Sequence, residues 1–285
     1  MSQVVVPVSS SAPTLRDLTG TLVLVGAGKM GSALLQGWLR LRLEPARVAI
    51  IEPQPSPEVA ELAAHGLRLN PPMNMVGEPD AIVVAVKPQN AAAIMPWLAQ
   101  AVGGTTVVLS IMAGKTLAFL AEGLPDSAAI VRSMPNLPAS IGHGITVAVP
   151  NAQVTSAQRE LVDKLLVGVG AVEWVEDEAL LDPVTALSGS GPAYVFLLAE
   201  SLAKAGAAAG LPAELAARLA RATVTGSGAL LGGSPLDPAT LRQSVTSPGG
   251  TTAAALDVLM ADTGLDRLMC EAVMAATQRS RELAG

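Results

Sequence analysis

The run Gly26-Ala27-Gly28-Lys29-Met30-Gly31 limits what this chain can fold into more than any other feature, because it joins a short apolar run, 21–25, to a helix-type segment, 32–41. Strand, glycine triplet and helix in that order make the turn that cradles a dinucleotide. Gly26 permits the tight turn, Gly28 lets a pyrophosphate approach the backbone, and Gly31 lets helix and strand pack closely. The helix then starts with free N–H groups and the positive end of its dipole beside the phosphates. A bare strand–helix turn without a ligand is the competing reading, and the order of the three parts counts against it.

The rest of the first half repeats the alternation. Strand-type runs fall at 21–25, 48–51, 81–86, 106–111, 130–133, 145–149 and 171–175, separated by helix-type segments. Several lack polar alternation, as strands covered on both faces do. The expected fold is α/β, a doubly wound parallel sheet of Rossmann type, over 21–176. Beyond Asp177 the strand-type runs stop. Ala/Leu periodicity predicts helices over 192–209, 212–230, 238–245, 251–261 and 265–284, three of them opened by Pro192, Pro212 and Pro238. Residues 177–285 are therefore expected to form a second, all-helical domain. Residues 1–20, with Ser9, Ser10, Ser11 and Pro13, read as a poorly ordered leader.

In an open α/β sheet the ligand crevice lies beyond the carboxyl ends of the strands. Glu52 ends the second run, near the position, about 20 residues past the first glycine, where an acid accepts hydrogen bonds from the adenine ribose. No Arg or Lys occurs in Pro53-Gln54-Pro55-Ser56-Pro57 to hold a 2′-phosphate, so the electrostatics lean toward NADH over NADPH. Val86-Lys87-Pro88 and Met112-Ala113 leave the sheet at the same edge and are further cofactor candidates. Glu52 and Lys87 also admit the plainer reading of solvated loop charges.

Composition narrows the partners. A formal net charge of −6 argues against nucleic acid. The mean hydropathy of +0.47 is high, yet no stretch reaches about 18 strongly apolar residues free of Gly, Pro and charge, so a membrane span is not expected. One cysteine, Cys270, excludes an internal disulfide and fits a reducing compartment, the cytoplasm. The helical half carries more Ala and Leu than one small domain can bury, which predicts a homo-oligomer.

Acid–base groups are scarce. His65 and His143, the only histidines, sit in segments that read as surface, and His and Cys are too few for a catalytic zinc site. Gly189-Ser190-Gly191 is too short for a nucleophile elbow. The most unusual run in the helical half is Val245-Thr246-Ser247-Pro248-Gly249-Gly250-Thr251-Thr252. Glycines and hydroxyl residues at a helix start offer several N–H donors to an anion such as a carboxylate. An ordinary interhelical turn with a Ser/Thr cap is the alternative.

These residues together resemble the pyrroline-5-carboxylate reductase family. The resemblance rests on "LRQSVTSPGGTTAAALDVL" at 241–259, Gly26–Gly31 with its Lys-Met pair, "AVKP" at 85–88, "MPN" at 134–136 and "LSGSGPAYVF" at 187–196. It extends over nearly all the chain from Thr21 onward. It implies a Rossmann domain followed by a helical domain that interlocks with a partner subunit, and reduction of 1-pyrroline-5-carboxylate to proline by NAD(P)H. It implies that Ser247, Gly249, Gly250, Thr251 and Thr252 hold the substrate. The backbone of Gly250, Thr251 and Thr252 would take its carboxylate, and the catalytic Thr252 hydroxyl would face the ring nitrogen. Asn136 joins the cofactor contacts. Two departures stand out. Leu137 replaces the threonine usual after "MPN", and Glu52 stands where NADPH-preferring members carry a small hydroxyl residue or similar.

Two other functions fit such a fold. A β-hydroxyacid dehydrogenase would need a lysine four residues after Gly191, where Val195 stands, and the next lysine is Lys204. A non-catalytic dinucleotide-binding regulator is not excluded by fold alone.

Overall fold

The computed structural model describes residues 14–284. The chain divides into two compact units. One ends at Val184 and takes back the residues from Arg281 onward, and the other is Thr185–Ser280.

The first unit is a sheet with helices on both faces. In chain order it contains β1 (Leu22–Val25), α1 (Lys29–Arg40), β2 (Val48–Ile51), α2 (Pro57–Leu62), β3 (Arg68–Leu69), β4 (Ala81–Val84), α3 (Ala91–Ala101), β5 (Val107–Ser110), α4 (Leu117–Ala121), β6 (Ala129–Met134), β7 (Gly144–Pro150), α5 (Ser156–Val167), β8 (Gly170–Trp174) and α6 (Leu181–Val184). The strand order is β3-β2-β1-β4-β5-β6-β7-β8. The chain builds outward from β1 to β3, then returns to β4 on the other side of β1. That reversal is the topological switch point, and the glycine turn leaves β1 there.

Strand residues of alternating parity feed two aliphatic layers. Leu22 and Leu24 of β1 pack under α1 and α5 with Leu34, Leu35, Trp38, Leu165 and Leu166. Val23 and Val25 pack on the other face with Met95 and Leu98 of α3 and Leu120 of α4. All four residues of β1 and of β4 are buried, which explains why these runs show no polar alternation. Trp38 is fully buried, and its Nε1–H donates to the Leu165 carbonyl at 2.9 Å, tying α1 to α5.

The structure corrects two expectations and adds detail to the rest. The sheet is not parallel throughout, because β6 and β7 run antiparallel. Only a short 3-10 turn, Leu137–Ile141, connects them, and a parallel crossover needs about a dozen residues or more. A two-residue strand, β3, was not foreseen, being too short for any periodicity. The expected disordered leader is too long. Its residues 1–13 lie outside those described, but Leu15 is buried against the first core layer, and its N–H donates to the Leu41 carbonyl at 2.8 Å. The compact units divide after Val184, a few residues past the expected boundary near Asp177, and Leu181 of α6 packs with Val147 and Val149 of β7.

The second unit is all helical. A short π-helix, Thr185–Gly189, precedes α7 (Gly191–Ala208), followed by α8 (Ala213–Gly233), α9 (Pro238–Ser244), α10 (Thr251–Leu259) and α11 (Leu265–Ala284), whose last turn belongs to the first unit. α7 and α8 form a hairpin that turns at Gly210, whose φ of +102° suits glycine. Large apolar side chains stand open along several of these helices: Phe196 is 62% exposed, Val258 72% and Met274 71%. Among the described residues no helix is long and apolar enough to cross a membrane.

Candidate active site

The glycine turn closes as the motif requires. Gly26 has φ +94°, and a side chain there would press on the backbone of Ala85 and Val86 at 2.8–2.9 Å, where β4 ends. Gly31 lies beneath the Gly26 carbonyl, with no room for a Cβ. Gly28 differs: a Cβ there would meet no atom within 4 Å. Internal packing therefore does not demand glycine at 28, whereas close approach of a ligand would. α1 begins at Lys29, and its Gly28 N-cap offers no side-chain hydrogen bond, so the first N–H groups stay available for an anion.

Around this turn opens a cleft of about 1080 Å³, large enough for a cofactor. Of the predicted residues, Gly26, Gly28, Lys29, Glu52, Val86 and Lys87 line it. Lys29 and Lys87 supply positive charge, and Glu52 and Glu58 line the wall beyond β2. Glu58 is fully exposed, and its carboxyl is held below the usual carboxylate range, first by the Ser56 hydroxyl. These residues fit a dinucleotide.

Glu52 is held from several sides. Its Oε2 accepts from the Ala27 N–H inside the glycine turn at 2.9 Å, and its Oε1 accepts from the Gln54 N–H at 3.0 Å. Each carboxylate oxygen keeps acceptor capacity toward the cleft.

The other predicted cofactor residues do not line the cleft. Met30 packs against the first core layer, and Gly31 is buried beneath the turn. Pro88 opens a 3-10 turn. Met112 is 2% exposed and belongs to the second core layer, while Ala113 is exposed at the end of β5. Asn136 caps the turn after β6, and its Oδ1 accepts from the Ile145 N–H at 3.0 Å. The sequence reading passed over Gln54, Ser56 and Asn90, which do line the cleft. Ser56-Pro57 carried a usable signal, since Ser before Pro marks a helix start and Ser56 Oγ accepts from the Val59 N–H of α2.

The second predicted cluster lies in the helical unit. After α9 the chain turns through Val245–Gly250, where Gly249 takes φ +68° and the Gly250 N–H donates to the Ser247 carbonyl at 3.0 Å. α10 follows, capped by Gly250 without a side-chain hydrogen bond. Its first helical bond runs from the Ala254 N–H to the Gly250 carbonyl at 3.2 Å. The N–H groups of Thr251, Thr252 and Ala253 thus precede that ladder, a cradle for a carboxylate. Thr252 is half-buried, and neither its hydroxyl nor that of Thr251 has a partner among the described residues. His65 and His143 are exposed. Lys204 is paired with Glu200 at 2.7 Å on the exposed side of α7.

Both halves of the chain match known families. Residues 178–283 match the family model described as pyrroline-5-carboxylate reductase dimerisation, and residues 21–114 match NADP oxidoreductase coenzyme F420-dependent. The pyrroline-5-carboxylate reductase of Pseudomonas aeruginosa is 39% identical over 269 residues, 93% of this chain and 97% of that protein. That of Mycobacterium tuberculosis is 36% identical, covering 92% and 96%. The chain belongs to the pyrroline-5-carboxylate reductase family. Among solved structures, the pyrroline-5-carboxylate reductase of Coxiella burnetii superposes with a TM-score of 0.85 at 31% identity, over 94% of this chain and 99% of that one. The Plasmodium falciparum reductase, solved with NADP bound, gives 0.78 at 29% identity, over 94% and 99%.

Proposed function

We propose that this chain reduces the C=N bond of 1-pyrroline-5-carboxylate to give proline, with NADH preferred over NADPH. The observation that carries the substrate is the uncapped start of α10, with its free N–H groups beside the unpartnered Thr252 hydroxyl. Family membership supports the same reaction. The free N–H groups of Thr251 and Thr252 hold the substrate carboxylate, with Gly250 shaping the turn before them, and the Thr252 hydroxyl orients the ring nitrogen or gives it a proton. An imine is basic enough to be protonated readily, so the protein's work is mainly orientation. Bound NAD(P)H supplies the hydride.

The cofactor preference rests on Glu52. Its carboxylate, anchored to the glycine turn through the Ala27 N–H, suits the two hydroxyls of an adenine ribose. A 2′-phosphate there would meet Glu52, and Glu58 lines the same cleft. Like charges about 4 Å apart repel by about 1–4 kcal/mol between effective dielectrics of about 80 and 20, and tenfold selectivity needs about 1.4 kcal/mol. Steady-state rates on pyrroline-5-carboxylate test both parts. The expected kcat/KM with NADH exceeds that with NADPH by about three- to tenfold. Glu52→Ser narrows or reverses the gap, chiefly through the KM for NADPH, and added salt narrows it. Absence of turnover with either cofactor refutes the reaction. A native preference for NADPH refutes the role of Glu52.

The protein works as a homodimer or a larger assembly of dimers. Support comes from the match of 178–283 to a dimerisation family and from the open apolar faces of the helical unit, which exceed the single exposed side chains of ordinary surfaces.

A further inference from the structure

We infer that Asn70 is a positioning residue for cofactor selection, setting the backbone from which Glu52 reaches the dinucleotide cleft; this rests on the reading of Glu52 above. Asn70 follows β3 and precedes Pro71-Pro72. The parallel ladder pairs Ala49 with Arg68 and Ile50 with Leu69, and the Asn70 N–H still donates to the Ile50 carbonyl at 2.7 Å. There the backbone ladder must stop, because Pro71 has no N–H to donate. The Asn70 carboxamide replaces it. Its Oδ1 accepts from the Glu52 N–H at 2.8 Å, and its Nδ2–H donates to the Glu52 carbonyl at 2.9 Å. The side-chain amide copies a peptide unit and extends the ladder by one rung.

The backbone at Asn70 makes this possible. Its φ of +47° lies in the left-handed region, which asparagine enters more readily than most residues. That turn folds the carboxamide back onto Glu52. The side chain is exposed, so it contributes no burial that would otherwise account for the residue. The connection is then continuous. Asn70 holds the main chain of Glu52, the Glu52 carboxylate accepts from the Ala27 N–H of the glycine turn, and the same carboxylate lines the cleft. Asn70 does not line the cleft and acts only through Glu52. Without the clamp, the strand end carrying Glu52 is free to swing, and the fixed negative charge that favours a ribose over a 2′-phosphate becomes diffuse.

Asn70→Gly tests this, since it keeps the left-handed backbone and removes only the amide. The expected result is a rise of about three- to tenfold in the KM for NADH, the size expected from losing two exposed hydrogen bonds. The KM for NADPH stays level or falls, and kcat and the KM for the imino acid do not change. Asn70→Asp, which keeps the acceptor for the Glu52 N–H but loses the donor, falls between. In a Glu52→Ser background Asn70→Gly adds nothing further to the NADH:NADPH ratio, because the two act through one group. If Asn70→Gly leaves the ratio unchanged, or still shifts it in the Glu52→Ser background, the inference is overturned. If Glu52→Ser alone leaves the ratio unchanged, the Glu52 reading itself fails.

Discussion

Removing Glu178 should destabilise the sheet unit far more than a surface charge would. Arg132 of β6 keeps only 7% of its side chain exposed, and its Nη1 lies 2.6 Å from Glu178 Oε1. The same oxygen accepts from the Leu117 N–H, at the start of α4, at 2.8 Å. One carboxylate thus neutralises a buried guanidinium and satisfies a helix N-terminus. Breaking a fully buried pair from one side costs about 3–5 kcal/mol, because a charge is left without a partner. Glu178 is 28% exposed, so water can reach the vacated place and reduce that figure. The Leu117 N–H adds about 1 kcal/mol when it loses its acceptor. Glu178→Ala should therefore cost about 2–3 kcal/mol, and Glu178→Gln, which can still accept from Leu117, about 1–2 kcal/mol. Arg132→Met should cost about 1–2 kcal/mol, since the exposed side of Glu178 remains hydrated. The double variant Arg132→Met/Glu178→Gln should cost less than the sum of its singles by at least about 1 kcal/mol. Urea unfolding followed by tryptophan fluorescence suits the measurement, because Trp38, Trp97 and Trp174 all lie in the sheet unit and report on it alone. A coupling energy under about 0.5 kcal/mol would show that the pair is solvated in solution and would refute the reasoning.

Thr252→Ala should lower kcat by about tenfold to a thousandfold, the range for a positioned proton donor, while NADH binding measured by fluorescence stays near wild type; an unchanged kcat removes Thr252 from the mechanism. Light scattering should find at least twice the 28.8 kDa of one chain, and an active species of that single-chain mass would contradict the dimer. Asp237 caps α9 by accepting from the Thr240 hydroxyl at 2.7 Å and from the Ala239 and Thr240 N–H groups at 3.0 Å. The hydrogen bond from the Thr240 hydroxyl, more than any other contact, holds its pKa below the usual value. A carboxyl depressed in the folded state stabilises it above the ordinary pKa of about 4 and loses that contribution as pH falls through the lowered value. Thermal melts by circular dichroism should show Asp237→Ala below wild type at neutral pH, with the difference closing in acid.

Much of the fold and of the chemistry was already legible along the chain. Buried parallel strands must be apolar on both faces, so "LVLV" at β1 and "AIVV" at β4 announce themselves without any partner in view. A dinucleotide turn needs glycine for the tight turn, for close ligand approach and for strand–helix packing at fixed spacing, so Gly26, Gly28 and Gly31 are readable from the motif alone. The Ser-Pro-Gly-Gly-Thr-Thr run likewise marks a helix start, and the structure shows that start uncapped by any side chain.

Tertiary structure decided what depends on distant partners. Spacing cannot tell that Met112, beside an exposed Ala113, turns inward to the core, because that depends on which helix covers the end of β5. The antiparallel β7 follows from the short path between β6 and β7, and the strand's own composition does not encode direction. Leu15 looks like part of a polar leader until the Leu41 carbonyl and the core layer beneath it are in place. Asn70 lies far along the chain from the glycine turn it serves, and nothing in Asn-Pro-Pro says which backbone its amide will clamp. Local sequence determines residues whose role is set by their own backbone, such as turn glycines, caps and buried strands. Roles created by contact between segments remote in the chain exist only once the sheet has assembled and fixed the distances between them.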